Sequence, residues 1–130
     1  MILVYQIILG ILGAIIGLTF ADIDLAPPLP LKHRSAWTHG PLVPYAAPLL
    51  IGLYPALWPF VVCFLVTYGL HLVADMFPAS WQGSALINLF PLHLSLPPFL
   101  SFLWLAVGVG YTYYTWLLLL DLPTGWLWPR

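Results

Sequence analysis

Long stretches without a charged side chain alternate with short polar windows along this chain. Residues 1–21 hold only Gln6 and Thr19 as clearly polar positions. At a 1.5 Å rise per residue, about 20 such residues cross a hydrocarbon core of about 30 Å. Thr19-Phe20-Ala21 weakly mimics a signal-peptide cleavage site, but no basic region precedes the apolar run, so it reads as a retained span. A second run, Gly40 to Ala74, is too long for one crossing and short for two. Gly52-Leu53-Tyr54-Pro55 interrupts it, and Gly/Pro pairs break helices. The pattern predicts a helical hairpin: a short helix over about 40–53, a turn, then a full span over about 56–76 with Pro59 in its first turn. A last run, 98–120, thickens toward one end with Tyr111, Tyr113, Tyr114 and Trp116, as an interfacial aromatic belt does. The uncharged segment 77–97 is expected along the interface, with Trp81 and His93 as anchors. The fold class is thus all-α: a polytopic membrane protein of about four transmembrane helices with a central hairpin, one domain over 1–130.

Composition sharpens this reading. Hydrophobic residues make up 62% of the 130 positions and charged ones 5%, against roughly 25% charged in a soluble domain. So few charges cannot cover a soluble globule, which excludes a soluble monomer. The net charge of −1 offers no field for nucleic acid. The single cysteine, Cys63, excludes a disulfide framework. The expected partners are the lipid bilayer and other membrane subunits. Four crossings put both termini on one side. Lys32 and Arg34 then place the connecting loops in the cytoplasm by the positive-inside rule.

The ionisable residues are not scattered. Asp22 and Asp24 follow the first span, and Lys32, His33, Arg34 and His39 precede the second. His71 and Asp75 end the third. Ionisable groups at membrane depth are costly and mark functional sites by default. His71 and Asp75, four apart, share one helix face, as two ligands of one ion or as a ligand and its orienting carboxylate. A plain His–Asp hydrogen bond would use the same spacing. Asp22 and Asp24 sit where the helix dipole disfavours acids, so a metal, Lys32 or Arg34 is the expected partner. His33 and His39, six apart, do not share a helical face. Thr38 is a candidate N-cap for the second helix. The hairpin brings His71 and Asp75 back to the membrane face that carries Asp22, Asp24, His33 and His39.

Asp22-x-Asp24, His33-Arg34-x-x-x-Thr38-His39 and His71-x-x-x-Asp75 together resemble the YdjM-like family of inner-membrane, metal-dependent hydrolases. The resemblance covers roughly residues 10–78. The chain departs from the family pattern at Gly40, where the family carries serine, and in a spacing one residue longer between His33 and His39. The family is thought to be distantly related to zinc-dependent phospholipase C. The resemblance implies a bacterial inner-membrane protein with Asp22, Asp24, His33, His39, His71 and Asp75 as ligands of a divalent metal, zinc foremost. Arg34 would contact substrate or the carboxylates.

The first functional expectation is therefore a hydrolase of a lipid or other phosphoester. Asp24 or Asp75 would orient the attacking water or take its proton, and Arg34 would complete the catalytic set. The second is a non-catalytic accessory subunit of a larger membrane complex, photosynthetic or respiratory, whose apolar tail 122–129 and aromatic surface contact subunits, lipids or pigments. His71 or His93 could then ligate a porphyrin-type cofactor. A transporter component with His71 and Asp75 as a proton relay ranks last, because span 98–120 supplies no polar face.

Overall fold

The computed structural model describes residues 2–25, 34–77, 85–89, 92 and 94–121. Helix α1 spans Ile2–Phe20 and continues as a 3-10 turn over Ala21–Leu25. Helix α2 covers Leu42–Leu53, and a 3-10 turn at Pro55–Leu57 leads into α3, Trp58–Met76. Strands β1 (Asn88–Leu89) and β2 (Leu94–Ser95) pair antiparallel before α4, Pro98–Asp121. Among the described residues, three segments are long and apolar enough to cross a membrane: Ile2–Leu25, Pro55–Met76 and Pro98–Asp121. The shorter α2 is also apolar. This is the architecture of a helical integral membrane protein.

The hairpin breaks where the sequence predicts. The N–H of Tyr54 closes α2 on Leu50 O at 2.8 Å, and Pro55 opens the next turn. Pro59 lies in the first turn of α3, where a missing N–H costs nothing. Pro48 sits inside α2.

Helix α3 is the centre of the bundle. It packs on α1, α2 and α4 and buries Val61, Phe64, Leu65, Tyr68 and Leu72. Its partner α4 buries Ser101, Leu105, Gly108, Thr112, Thr115 and Leu119, an alternating three- and four-residue stripe along one face. The two run antiparallel: Trp58 Nε1 donates to Leu119 O at 3.1 Å at one end, and Gly108 meets Leu72 at the other.

Helix α1 runs parallel to α3 and buries only Gly13 and Gly17. A Cβ on Gly13 would overlap Phe60 O, and one on Gly17 would overlap Phe64 O and Thr67 Oγ1. Bare backbone there lets the helices approach closely, as small-xxx-small seams do in membranes. Most of the other side chains of α1, from Ile2 to Leu18, are exposed and apolar, suited to lipid. The parallel arrangement sets the polar end of α1 beside the last turns of α3.

Two sequence expectations change. Thr38 does not cap α2: the helix begins at Leu42 with Pro41 in the cap position and no side-chain cap bond, because Thr38 Oγ1 is engaged by Asp24 and Ser35. Within 77–97, Ala85 and Ile87 are buried in the chain's own core instead of lying along the interface. The Ile87 N–H donates to Ser101 Oγ at 3.1 Å, tying the segment to α4. Trp81, His93 and the tail 122–129 lie outside the described residues.

Candidate metal centre

The polar end of the bundle is assembled from three pieces. The 3-10 turn after α1 supplies Asp22 and Asp24. The segment 34–40 supplies Arg34 and His39. The last turns of α3 supply His71 and Asp75. The middle piece is fixed at its backbone. Arg34 O accepts the Asn88 N–H at 2.9 Å, and Asn88 O accepts that of Ala36 at 2.9 Å. Arg34 adopts φ 61°, a left-handed conformation uncommon outside glycine. At the other end Tyr68 clamps the turn segment entering α2. Its hydroxyl accepts the Gly40 N–H at 3.1 Å and lies 2.8 Å from Thr38 O, to which it donates.

His39 is fully buried. Its Nδ1 faces Thr38 Oγ1 at 3.0 Å and Asp24 Oδ2 at 3.5 Å. The carboxylate of Asp24 accepts the Ser35 N–H at 2.8 Å and the Thr38 hydroxyl at 3.0 Å. Because Thr38 spends its one proton on Asp24, its lone pair faces His39, and this network assigns the His39 proton to Nδ1. His71 is arranged in the same way from another side. Its Nδ1 lies 2.8 Å from Leu18 O, which can only accept. That carbonyl belongs to the last turn of α1, where helix carbonyls seek outside donors.

Both Nε2 atoms are thereby turned inward with their lone pairs. His39 Nε2 lies 3.2 Å and His71 Nε2 3.4 Å from the same atom, Asp75 Oδ2. Asp22 Oδ1 approaches His71 Nε2 to 3.8 Å. The imidazole centroids of His39 and His71 are 5.6 Å apart. One ligand atom each from Asp22, His39 and His71 lies within 4.8 Å of the others. The two Nε2 atoms can meet Asp75 Oδ2 in two ways, by donating a hydrogen bond from a protonated ring or by sharing a cation with it. Zinc bound by N and O ligands at about 2.0–2.2 Å sets those ligands about 3–4 Å apart, closer than the 4.8 Å limit of the Asp22–His39–His71 group, so these residues form a candidate site that an ion would draw together. Outer acceptors that fix each histidine tautomer are the usual accompaniment of such ions.

The remaining groups sit around this core. Arg34 Nε lies 3.6 Å from Asp75 Oδ1, and both Arg34 Nε and Asp75 Oδ2 are buried atoms without a hydrogen bond of good geometry. Asp24 occupies the outer side of the His39 ring, where it orients the imidazole. Of the residues singled out from sequence, Asp22, His39, His71 and Asp75 converge, with Arg34 beside them and Asp24 behind. His33 and Lys32 lie outside the described residues. Tyr68 and Ser35, which belong to none of the sequence motifs, also hold the site together. Tyr68 lies three residues before His71 on the same helix face, and that spacing was an available signal.

No protein-family model, no curated protein and no solved structure matches this chain.

Proposed function

We propose that this chain is a membrane-embedded, metal-dependent hydrolase of a phosphoester. Asp22, His39 and His71 hold a divalent ion, zinc foremost, with Asp75 at its edge. One observation carries the reading: two histidines, each oriented by an outer acceptor, point their Nε2 atoms at a shared carboxylate. The motifs that resemble the YdjM-like family contribute the same residues, which supports it further. The bacterial inner membrane, with the polar end toward the cytoplasm, belongs to the same proposal.

A bound divalent ion makes water nucleophilic near neutral pH and polarises a phosphoryl oxygen. Asp75, in reach of both histidines, would orient the attacking water or take its proton; as the water oxygen bonds to phosphorus the ester P–O bond breaks, and that proton would leave on the departing alcohol. The Arg34 guanidinium, about one-third exposed, meets the anionic oxygens of the phosphoester. Asp24 and Thr38 keep His39 in the tautomer that leaves Nε2 facing inward.

Elemental analysis of the protein purified in detergent micelles tests this. The wild type is expected to carry about one equivalent of a divalent metal, and His71→Ala less than about a tenth of that. Hydrolysis of bis(p-nitrophenyl) phosphate should fall in parallel. A folded, metal-free and inactive wild type that co-purifies with larger subunits would sink the reading in favour of an accessory subunit.

A further inference from the structure

Helices α1 and α2 both pack on α3 but leave a groove between themselves. Its volume is about 510 Å³, within the usual range for a small-molecule site. Ile16 and Phe20 form one wall, α2 from Leu42 to Leu50 the other, and Phe60, Val61 and Phe64 the floor. Every described lining residue is apolar. The nine residues of α2 from Leu42 to Leu50 span about 12 Å along the helix axis. Ile16, Leu42 and Leu50 at the rim are about two-fifths exposed, so the groove opens sideways toward lipid.

Its position is what distinguishes it. Phe20 and Trp37 line it toward the polar end of the bundle. Phe20 precedes Asp22 by two residues, and Trp37 precedes His39 by two. The Phe20 ring also packs 6.5 Å from that of Tyr68, the clamp of the 38–40 segment. A second apolar groove, along Gln6, Gly10, Trp58 and Cys63, lies at the opposite end of the bundle, away from the centre.

We propose that the α1–α2 groove holds the acyl chain of an anionic phospholipid, whose phosphate then lies at the His/Asp centre beside Arg34. The choice of substrate rests on the hydrolase reading above. The occupant follows from two features. An apolar slot that opens sideways at membrane depth takes a hydrocarbon chain from the bilayer without passage through water. At its polar end, Arg34 and a bound cation complement a phosphate headgroup.

Native mass spectrometry of the protein released from micelles doped with lysophosphatidic acid tests the assignment. The wild type is expected to retain one lipid per chain. Ala46→Trp and, separately, Leu50→Trp fill the groove and should lower the retained fraction at least about tenfold, roughly 1.4 kcal/mol. Leu49→Trp, on the exposed side of α2 outside the groove, should retain lipid as the wild type does. Unchanged retention in both groove variants would overturn the proposal, as would an equal loss in Leu49→Trp. Equal retention of a monoacylglycerol of the same chain length would overturn the headgroup assignment. Metal content measured on the same samples keeps the two readings apart. Lipid without metal removes the hydrolase and leaves the groove, whereas metal without lipid removes the groove alone.

Discussion

Where α1 crosses α3 in mid-bundle, contact is made by leaving side chains out. Gly13 and Gly17 put backbone directly against Phe60 and Phe64. One turn further on, the same two helices meet through polar groups: Leu18 O on His71 and Asp22 near its Nε2. The first contact is steric and indifferent to chemistry. The second is chemical and depends on which atom carries a proton. The glycine seam sets the distance between helices, and the polar contact uses that distance to close the centre. The centre should therefore fail when either is damaged, but fold stability should respond mainly to the seam.

Gly13→Leu should give the largest effect. The Phe60 carbonyl cannot move aside as a side-chain tip could, so a loss of about 3 kcal/mol is expected in denaturation within micelles. Bound metal should vanish with it, since Leu18 and Asp22 are carried away. Full metal content in a stable Gly13→Leu protein would show that the seam does not set the site. Thr38→Val comes next. It keeps the shape but removes the acceptor at His39 Nδ1 and a donor to Asp24, and metal affinity should weaken about 10- to 100-fold with helix content unchanged. Titration with a chromophoric chelator measures this, and an unaltered affinity would show that Thr38 does not orient His39. The smallest effect is expected from Tyr68→Phe. Losing the hydroxyl leaves the buried Gly40 N–H and Thr38 O to find other partners, costing about 1–2 kcal/mol. Hydrogen exchange at Gly40 should quicken, and protection equal to the wild type would remove Tyr68 as the clamp.

The two regions also differed in how legible they were. The spans, the break at Gly52–Pro55 and the shared face of His71 and Asp75 follow from length, Pro/Gly placement and helical period, all local properties. Convergence of the two polar windows followed from the hairpin. The pairing of α1 with α3 was not legible, because α1 is apolar all round and its sequence marks no inward face. Only its glycines carry the information, and they declare a close approach without naming the partner. Thr38 misled for a related reason. A threonine before a helix looks like a cap locally, but Asp24, fourteen residues away, competes for its hydroxyl. The β1–β2 pairing hides in a segment where absence of charge reflects burial of Ala85 and Ile87 within the chain.

The twelve residues of α2 have a consequence for the surrounding membrane. They rise about 18 Å, some 12 Å less than a typical hydrocarbon core. Lipid beside α2 must thin to meet it, or polar backbone around residues 38–41 would face acyl chains. Thinning draws headgroups and water inward along this one side, the side on which the α1–α2 groove opens. Thinning of this kind favours thinner membranes, so the protein is expected to partition toward them over thicker, sterol-rich ones.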